Sequence, residues 1–215
     1  VRSSAASDVY KRQIQQNKGN DAQQMILYVS QYIRYTFRDN SSLVPLQTEL
    51  NQVQNYYKLQ KLNTRDSSEL TISADPAVSK FPVPMLCIQT FVENSFKHGR
   101  ISSQPLNVHI SVQLTETEEG NYLNISIQDN GTGFPDEFLQ SFLQHTEDAV
   151  TGQHIGIHNL RQRLTLLYGD QAGLICMNNS SGAMTEIILP IQEEPNTSSE
   201  TKSSLLSNEN LFSLS

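Results

Sequence analysis

The sequence predicts an α+β protein in which an α-helical hairpin precedes a two-layer α/β sandwich. Three observations point there. Between residues 21 and 62 the apolar positions recur at helical steps of three and four. After residue 65 several stretches alternate apolar and polar residues at the period of a half-buried strand. Two further helix-like stretches separate those strands, which calls for one sheet covered by a helical layer.

Over residues 21–38, Met25, Ile26, Val29, Ile33 and Phe37 share one helix face. A second helix runs from about Pro45, whose fixed φ suits a first turn, through Leu46, Leu50, Val53 and Tyr57 to about Leu62. The break at Asp39, Asn40, Ser41 and Ser42 is short, so the two helices are expected to lie antiparallel. Each has one apolar stripe and a polar remainder, and such a pair needs a third surface, most simply another copy of itself. Leu70 and Ile72 mark a short strand. Residues 83–97 read as a helix entered through Pro82 and Pro84 and stopped by Gly99. Val108, Ile110, Val112 and Leu114, then Leu123, Ile125 and Ile127, form two strands around a turn at residues 116–121. A loop or short helix follows to about residue 145, then a helix over about 156–168 and strands near 174–178 and 185–191.

Of 215 residues, 15 are Lys or Arg and 22 are Asp or Glu, a formal net charge of −7. Without a basic surplus, duplex nucleic acid is excluded as the main partner, because binding to a polyanion draws on neutralised phosphates. The most apolar stretch, residues 81–92, holds two prolines and a Gln and falls short of the ~18–20 residues a membrane-spanning helix needs. Cys87 and Cys176 lie far apart with no partner at metal-ligand spacing, which indicates neither a disulfide framework nor a zinc site and suits a reducing compartment. Residues 1–13 (VRSSAASDVYKRQ) read as a translated sequencing adaptor, so the chain is taken as a fragment open at its N-terminus. Residues 196–215, with 7 Ser and 3 Asn, are expected to form a disordered tail. That leaves a helical region over 14–65 and a mixed α/β domain over 66–195.

Three stretches carry chemistry. In Asp129-Asn130-Gly131-Thr132-Gly133, a carboxylate closes an apolar strand and two glycines follow at alternate positions. A buried Asp needs donors, and an adenine amine is one, although Asp-Asn-Gly is also a favoured hairpin turn. In Glu93-Asn94-Ser95-Phe96-Lys97-His98-Gly99, Asn94 offers a neutral oxygen to Mg²⁺ and Lys97 a point charge to phosphate. The same residues also suit an ordinary helix end, where cations complement the dipole. In the stretch from Gly152 through Gly156, Ile157 and Asn159, glycines lead into a helix whose free N–H groups form a natural phosphate site.

The order of these stretches, with Gly182 before the last strand, resembles the N, G1, G2 and G3 boxes of the Bergerat-type ATP-binding fold shared by histidine kinases, gyrase, the heat-shock chaperone and mismatch-repair ATPases. Leu46-Gln47-Thr48-Glu49-Leu50 and Asn55 to Leu62, preceded by Ile33-Arg34-Tyr35, are similar to the helical region of LytS/YesM-type sensor histidine kinases. The likeness spans roughly residues 21–191.

The resemblance implies ATP and Mg²⁺ as ligands. Asp129 would accept from the adenine amine, Gly131 and Gly133 would shape that pocket, and Asn94 would hold Mg²⁺ between the phosphates. Glu93 would assist the transfer and Lys97 would meet phosphate, which makes Glu93, Asn94 and Lys97 the catalytic candidates. Gly152 and Gly156 would flank a lid over the triphosphate, with His98, Ile157, Asn159 and Gly182 completing the nucleotide contacts. The complete protein is expected to be anchored in the bacterial inner membrane by an N-terminal sensor region, with this portion in the cytoplasm. It would dimerise through the hairpin, phosphorylate its own His and pass the phosphoryl group to the receiver domain of a response regulator.

Three departures bear on that expectation. The family carries its phosphoacceptor in an Asn-Pro-His-Phe stretch upstream of the first helix, and none is present, so this fragment alone is predicted not to autophosphorylate. Ala183 stands where the G3 box usually has Thr, and Gly152 and Gly156 are more widely spaced than a tight glycine pair. Two other readings stay open: a nucleotide-binding regulatory module without chemistry, and an ATPase of the same fold. The second is weaker, because the hydrolytic Glu four residues before the Mg²⁺-binding Asn is here Thr90.

Overall fold

The computed structural model describes residues 23–35, 43–64, 67–101, 104–118, 120–144 and 155–191. The expectations for residues 1–13 and 196–215, and for Gly152, fall outside these. Helix α1 covers residues 23–35 and α2 covers Leu46–Thr64. They run antiparallel: Tyr32 stacks on Tyr56 with ring centroids 5.9 Å apart, and Lys58 Nζ sits 6.0 Å from the Tyr28 ring.

The apolar stripe of α2 finds its third surface within the same chain. Leu46 and Val53 are fully buried, and with Leu50 and Tyr56 they join one continuous core with Val83, Met85, Ile88 and Phe91. On α1, by contrast, Ile26, Leu27 and Ile33 remain 68%, 54% and 48% exposed. Before α2, the strand β1 (Leu43–Pro45) pairs antiparallel with β3 (Pro82–Pro84), placing Val44 opposite Val83.

The helix expected over 83–97 begins later than its composition suggests. Helix α3 covers Gln89–His98, and the prolines belong to β3 instead of a first turn. Pro84 pushes Val83 into extended backbone, so a helix cannot start there. Leu86 then takes a φ of 65, which interrupts any helical path until Ile88.

The main sheet has five strands in the order β2-β4-β5-β7-β6. Strand β2 (Glu69–Ala74) lies parallel to β4 (Asn107–Thr117), and β3 and α3 lie along the crossover between them. The others pair antiparallel: β4 with β5 (Gly120–Asp129), β5 with β7 (Ala183–Pro190), and β7 with β6 (Gly173–Asn178). The β4–β5 turn is tighter than expected, since pairing continues to Thr117 opposite Gly120.

Alternation then sorts the faces. Val108, Ile110, Val112, Leu123, Ile125, Ile127, Ile187 and Leu189 point inward and are buried. Helix α3 covers them with Phe91, Val92 and Phe96, and α5 (Ile155–Tyr168) with Ile157, Leu160 and Leu164. The short helix α4 (Asp136–Gln144) lies beside β6, its Phe138 and Phe142 continuing a stack begun by Phe134. No helix among the described residues is long and apolar enough to cross a membrane.

Candidate functional site

A cleft of about 210 Å³ opens between α3 and the sheet ends that carry Asp129 and Ala183. Its helical wall is Phe91, Asn94, Ser95 and His98, residues spaced to share one face of α3. Its floor is Ile127, Asp129, Ala183 and Thr185, and the loop Thr132-Gly133-Phe134-Pro135 closes the far side. The lining is a mainly apolar slot with a few convergent polar groups, the general form of a small-molecule site.

Asp129 is 5% exposed and fully engaged on its protein side. Its Oδ1 accepts the N–H groups of Gly131 (2.9 Å) and Ala183 (3.2 Å), and its Oδ2 accepts the Ser95 hydroxyl (2.5 Å). A carboxylate has about four lone-pair sites, so Oδ2 keeps acceptor capacity for a donor in the cleft. Ala183 makes this contact through its backbone N–H, so the contact does not depend on its side chain. The Asp129 segment is no hairpin turn: β5 ends, the chain crosses to α4, and the loop is pinned at several points. Asn130 ties it to Asn107 N (2.7 Å) and Pro105 O (3.0 Å). Asn178 brackets Phe134, accepting from its N–H at 2.7 Å and donating to its carbonyl at 2.9 Å.

Gly131 does not line the cleft. A Cβ at this position would meet the Gly99 carbonyl oxygen at 2.2 Å, so the glycine is there for backbone contact with the end of α3. Gly182 acts similarly behind Asp129, where a Cβ would lie 2.6 Å from both Asp129 O and Gly131 N. Gly133 does line the cleft. Gly156, at the start of α5, faces Thr90, whose hydroxyl donates to Leu86 O (2.7 Å). Ile157 is buried in the core, so only its backbone could meet a ligand, and Asn159 is exposed.

Glu93 and Lys97 take another side of α3. They pair with each other at 3.0 Å, and Glu93 Oε1 also accepts from Tyr32 of α1 (2.8 Å) and Gln89 (3.1 Å). Asn94, one residue from Glu93, is turned to the cleft, and its buried side-chain amide nitrogen has no hydrogen-bond partner among the described residues. An orphaned polar group on a cleft wall suits a site completed by a polar ligand. No three His, Cys, Asp or Glu residues cluster as a metal cage among the described residues. Among the described residues, the ligand the cleft wall would offer a cation is the side-chain oxygen of Asn94, which suits a Mg²⁺ held mainly by ligand phosphates and water. Phe91, Ser95 and Thr185 were not among the sequence-predicted site residues. The shared helix face with Asn94 is the signal for the first two, whereas Thr185 is one of several inward strand positions.

Residues 83–195 match the model of the histidine kinase-, DNA gyrase B-, and HSP90-like ATPases, and residues 8–68 match the histidine kinase model. The chain belongs to this ATPase family, and its architecture is a helical hairpin followed by the Bergerat-type fold. Within it, the chain is related at moderate identity to LytS-type sensor histidine kinases. It is 32% identical over 160 residues to an uncharacterized sensor-like histidine kinase of Staphylococcus epidermidis, covering 74% of this chain and 30% of that protein. To the sensor protein LytS of the same species it is 30% identical over 170 residues, covering 79% and 28%. The chain thus spans under a third of the length of these relatives. The catalytic domain of histidine kinase ThkA superposes with a TM-score of 0.53 at 12% identity, covering 71% of this chain and 98% of that one. That likeness concerns the fold.

Proposed function

We propose that this chain is the ATP-binding catalytic portion of a two-component sensor histidine kinase, transferring the γ-phosphoryl group of ATP to a His upstream of this fragment. The observation that carries the nucleotide reading is Asp129, buried at the cleft floor with its protein-side donors satisfied and Oδ2 still able to accept. That capacity suits the exocyclic amine of adenine. Asn94 would hold Mg²⁺, which would neutralise phosphate charge as transfer proceeds. His98 lies at the cleft wall beside it. Gly156 and Ile157 would meet the phosphates through backbone N–H groups of the first turn of α5, and Asn159 through its exposed side chain, while Gly152 would flank the lid over them.

Glu93 faces α1, with the largely exposed Lys97 paired to it, and that is the side from which a His on the upstream helical region would approach. This supports a part in transfer to that His more than in holding phosphate, with Glu93 taking a proton and Lys97 orienting it. The ATPase reading is weaker, because Thr90 at the hydrolytic position carries no carboxylate and spends its hydroxyl on the Leu86 carbonyl ahead of α3.

The exposed Ile26, Leu27 and Ile33 of α1 suit a homodimer through the hairpin. The complete protein would then place this portion in the cytoplasm, anchored through an N-terminal membrane sensor, and relay the phosphoryl group to a response regulator's receiver domain. The test is calorimetric titration with Mg·ATP, followed by incubation with γ-labelled ATP and a separate segment bearing the upstream His. Saturable binding and label on the added segment, with none on this chain alone, are expected. A folded chain that binds no nucleotide would overturn the proposal, and binding without transfer would leave the regulatory module as the better account.

A further inference from the structure

Glu49 is a charged residue on α2 with no exposure at all. Its Oε2 accepts the Tyr35 hydroxyl of α1 and the N–H of Leu86 (3.0 Å), and its Oε1 accepts the N–H groups of Ile88 and Gln89, both at 3.1 Å. Ile88 and Gln89 begin α3, which has no side-chain cap of its own, so the free donors of its first turn are satisfied from a different helix. Leu86, in the left-handed region, is held from both sides, its N–H by Glu49 and its carbonyl by Thr90. The neighbouring Met85 carbonyl accepts from Arg163 of α5 at 2.5 Å. Residues 85–88 are therefore the junction where the hairpin, α3 and α5 meet.

We infer that Glu49 is a positioning residue for the phosphate end of the nucleotide site: through residues 85–88 it sets where α3 holds Asn94, and through Tyr35 it ties that placement to α1. This rests on the nucleotide reading above. The two ends of the cleft depend on α3 to different degrees. Asp129 is fixed by Gly131 and Ala183 at the strand ends and owes α3 only the Ser95 contact. Among the described residues the amide nitrogen of Asn94 has no partner, so its place follows that of α3. Loosening the start of α3 should therefore displace the phosphate-side group and spare the base-side acceptor.

Two substitutions separate this from a purely structural buried cap. Tyr35→Phe cuts the link from Glu49 to α1, leaving the Tyr32–Glu93 contact and all three backbone bonds to Glu49 in place. Glu49→Gln keeps the shape, yet turns a donor toward an N–H group of residues 86–89. The whole chain is titrated with adenosine and with ATP, with and without Mg²⁺, and folding is checked by circular dichroism. Loss of one such hydrogen bond corresponds to about a threefold weakening of Mg·ATP in Tyr35→Phe and about tenfold in Glu49→Gln, with adenosine held within about twofold. Equal losses for adenosine and Mg·ATP in a folded variant, or no loss in either, would overturn the inference. If Glu49→Gln does not fold, Tyr35→Phe decides alone. A wild-type chain that binds neither ligand would instead refute the nucleotide reading, a different result from wild-type binding with unselective variants.

Discussion

Asp129→Asn changes one atom and reverses one direction of hydrogen bonding. In the folded protein the Asn oxygen can keep the two N–H donors, Gly131 and Ala183, now held by Oδ1. Its new Nδ2 then faces the Ser95 hydroxyl, which rotates from donating to accepting. A charge-assisted bond becomes a neutral one, a loss of about 1 kcal/mol, or roughly 2–4 °C in melting temperature for a chain of this size. The ligand side fares worse, because an adenine amine would meet a donor where it had an acceptor. A hydrogen bond to a charged group is worth about 1.5–3 kcal/mol, so Mg·ATP should bind about 10- to 150-fold more weakly. Inosine triphosphate has a carbonyl in place of that amine and should gain relative to ATP in the variant. Calorimetric titration with both nucleotides, beside thermal unfolding, reads all three quantities. Unchanged ATP affinity in a folded variant, or a parallel loss for the two nucleotides, would refute the placement of the adenine amine at Asp129.

Other perturbations test other parts. Asn94→Ala should remove most of the gain that Mg²⁺ adds to ATP affinity while leaving adenosine binding within about twofold, measured by titration with and without the metal. Gly131→Ala forces a Cβ to 2.2 Å from a backbone oxygen and should cost about 3 kcal/mol in chemical denaturation. Gly169→Ala, with φ +59 and open space around it, should cost only about 1 kcal/mol. Burial pushes the Cys176 thiol up to about 12 and the Cys87 thiol well above its ordinary value, so thiolate appears only as pH rises toward those values. At pH 8 iodoacetamide should leave both unlabelled in the folded chain and modify both after denaturation, as read by mass spectrometry.

The parts of this molecule legible in its sequence are those where one local rule acts alone. Strands β4, β5 and β7 alternate because one face is core and the other is not, and Ile110, Ile125 and Ile187 are buried as that period requires. Asp129 meets the donors a buried carboxylate needs, and Gly131 and Gly182 stand where backbone comes close, although Gly131 was expected to shape the pocket and lies outside its lining. The start of α3 was not legible, since Pro82 and Pro84 suit a helix entry in general and become a strand only because Val44 pairs with Val83. Glu49 was invisible for a related reason. A carboxylate on an amphipathic helix looks like a solvated residue until the N–H groups it collects, nearly forty positions away, are brought beside it. Glu93 and Asn94 show the opposite limit: neighbours in sequence, they sit about 100° apart around a helix and face different surroundings.

The continuous core has a practical meaning for anyone who wishes to cut this protein into pieces. A fragment starting just after α2 would carry β3 without β1, the cluster around Met85 and Ile88 without Leu46 and Val53, and the α3 donors without Glu49. Its interior would open to water on one side, and its weakest end would be the helix that bears Asn94. The smallest piece expected to stand by itself therefore begins ahead of Leu43, and a shorter one that fails to bind nucleotide would report on the cut, not on the site.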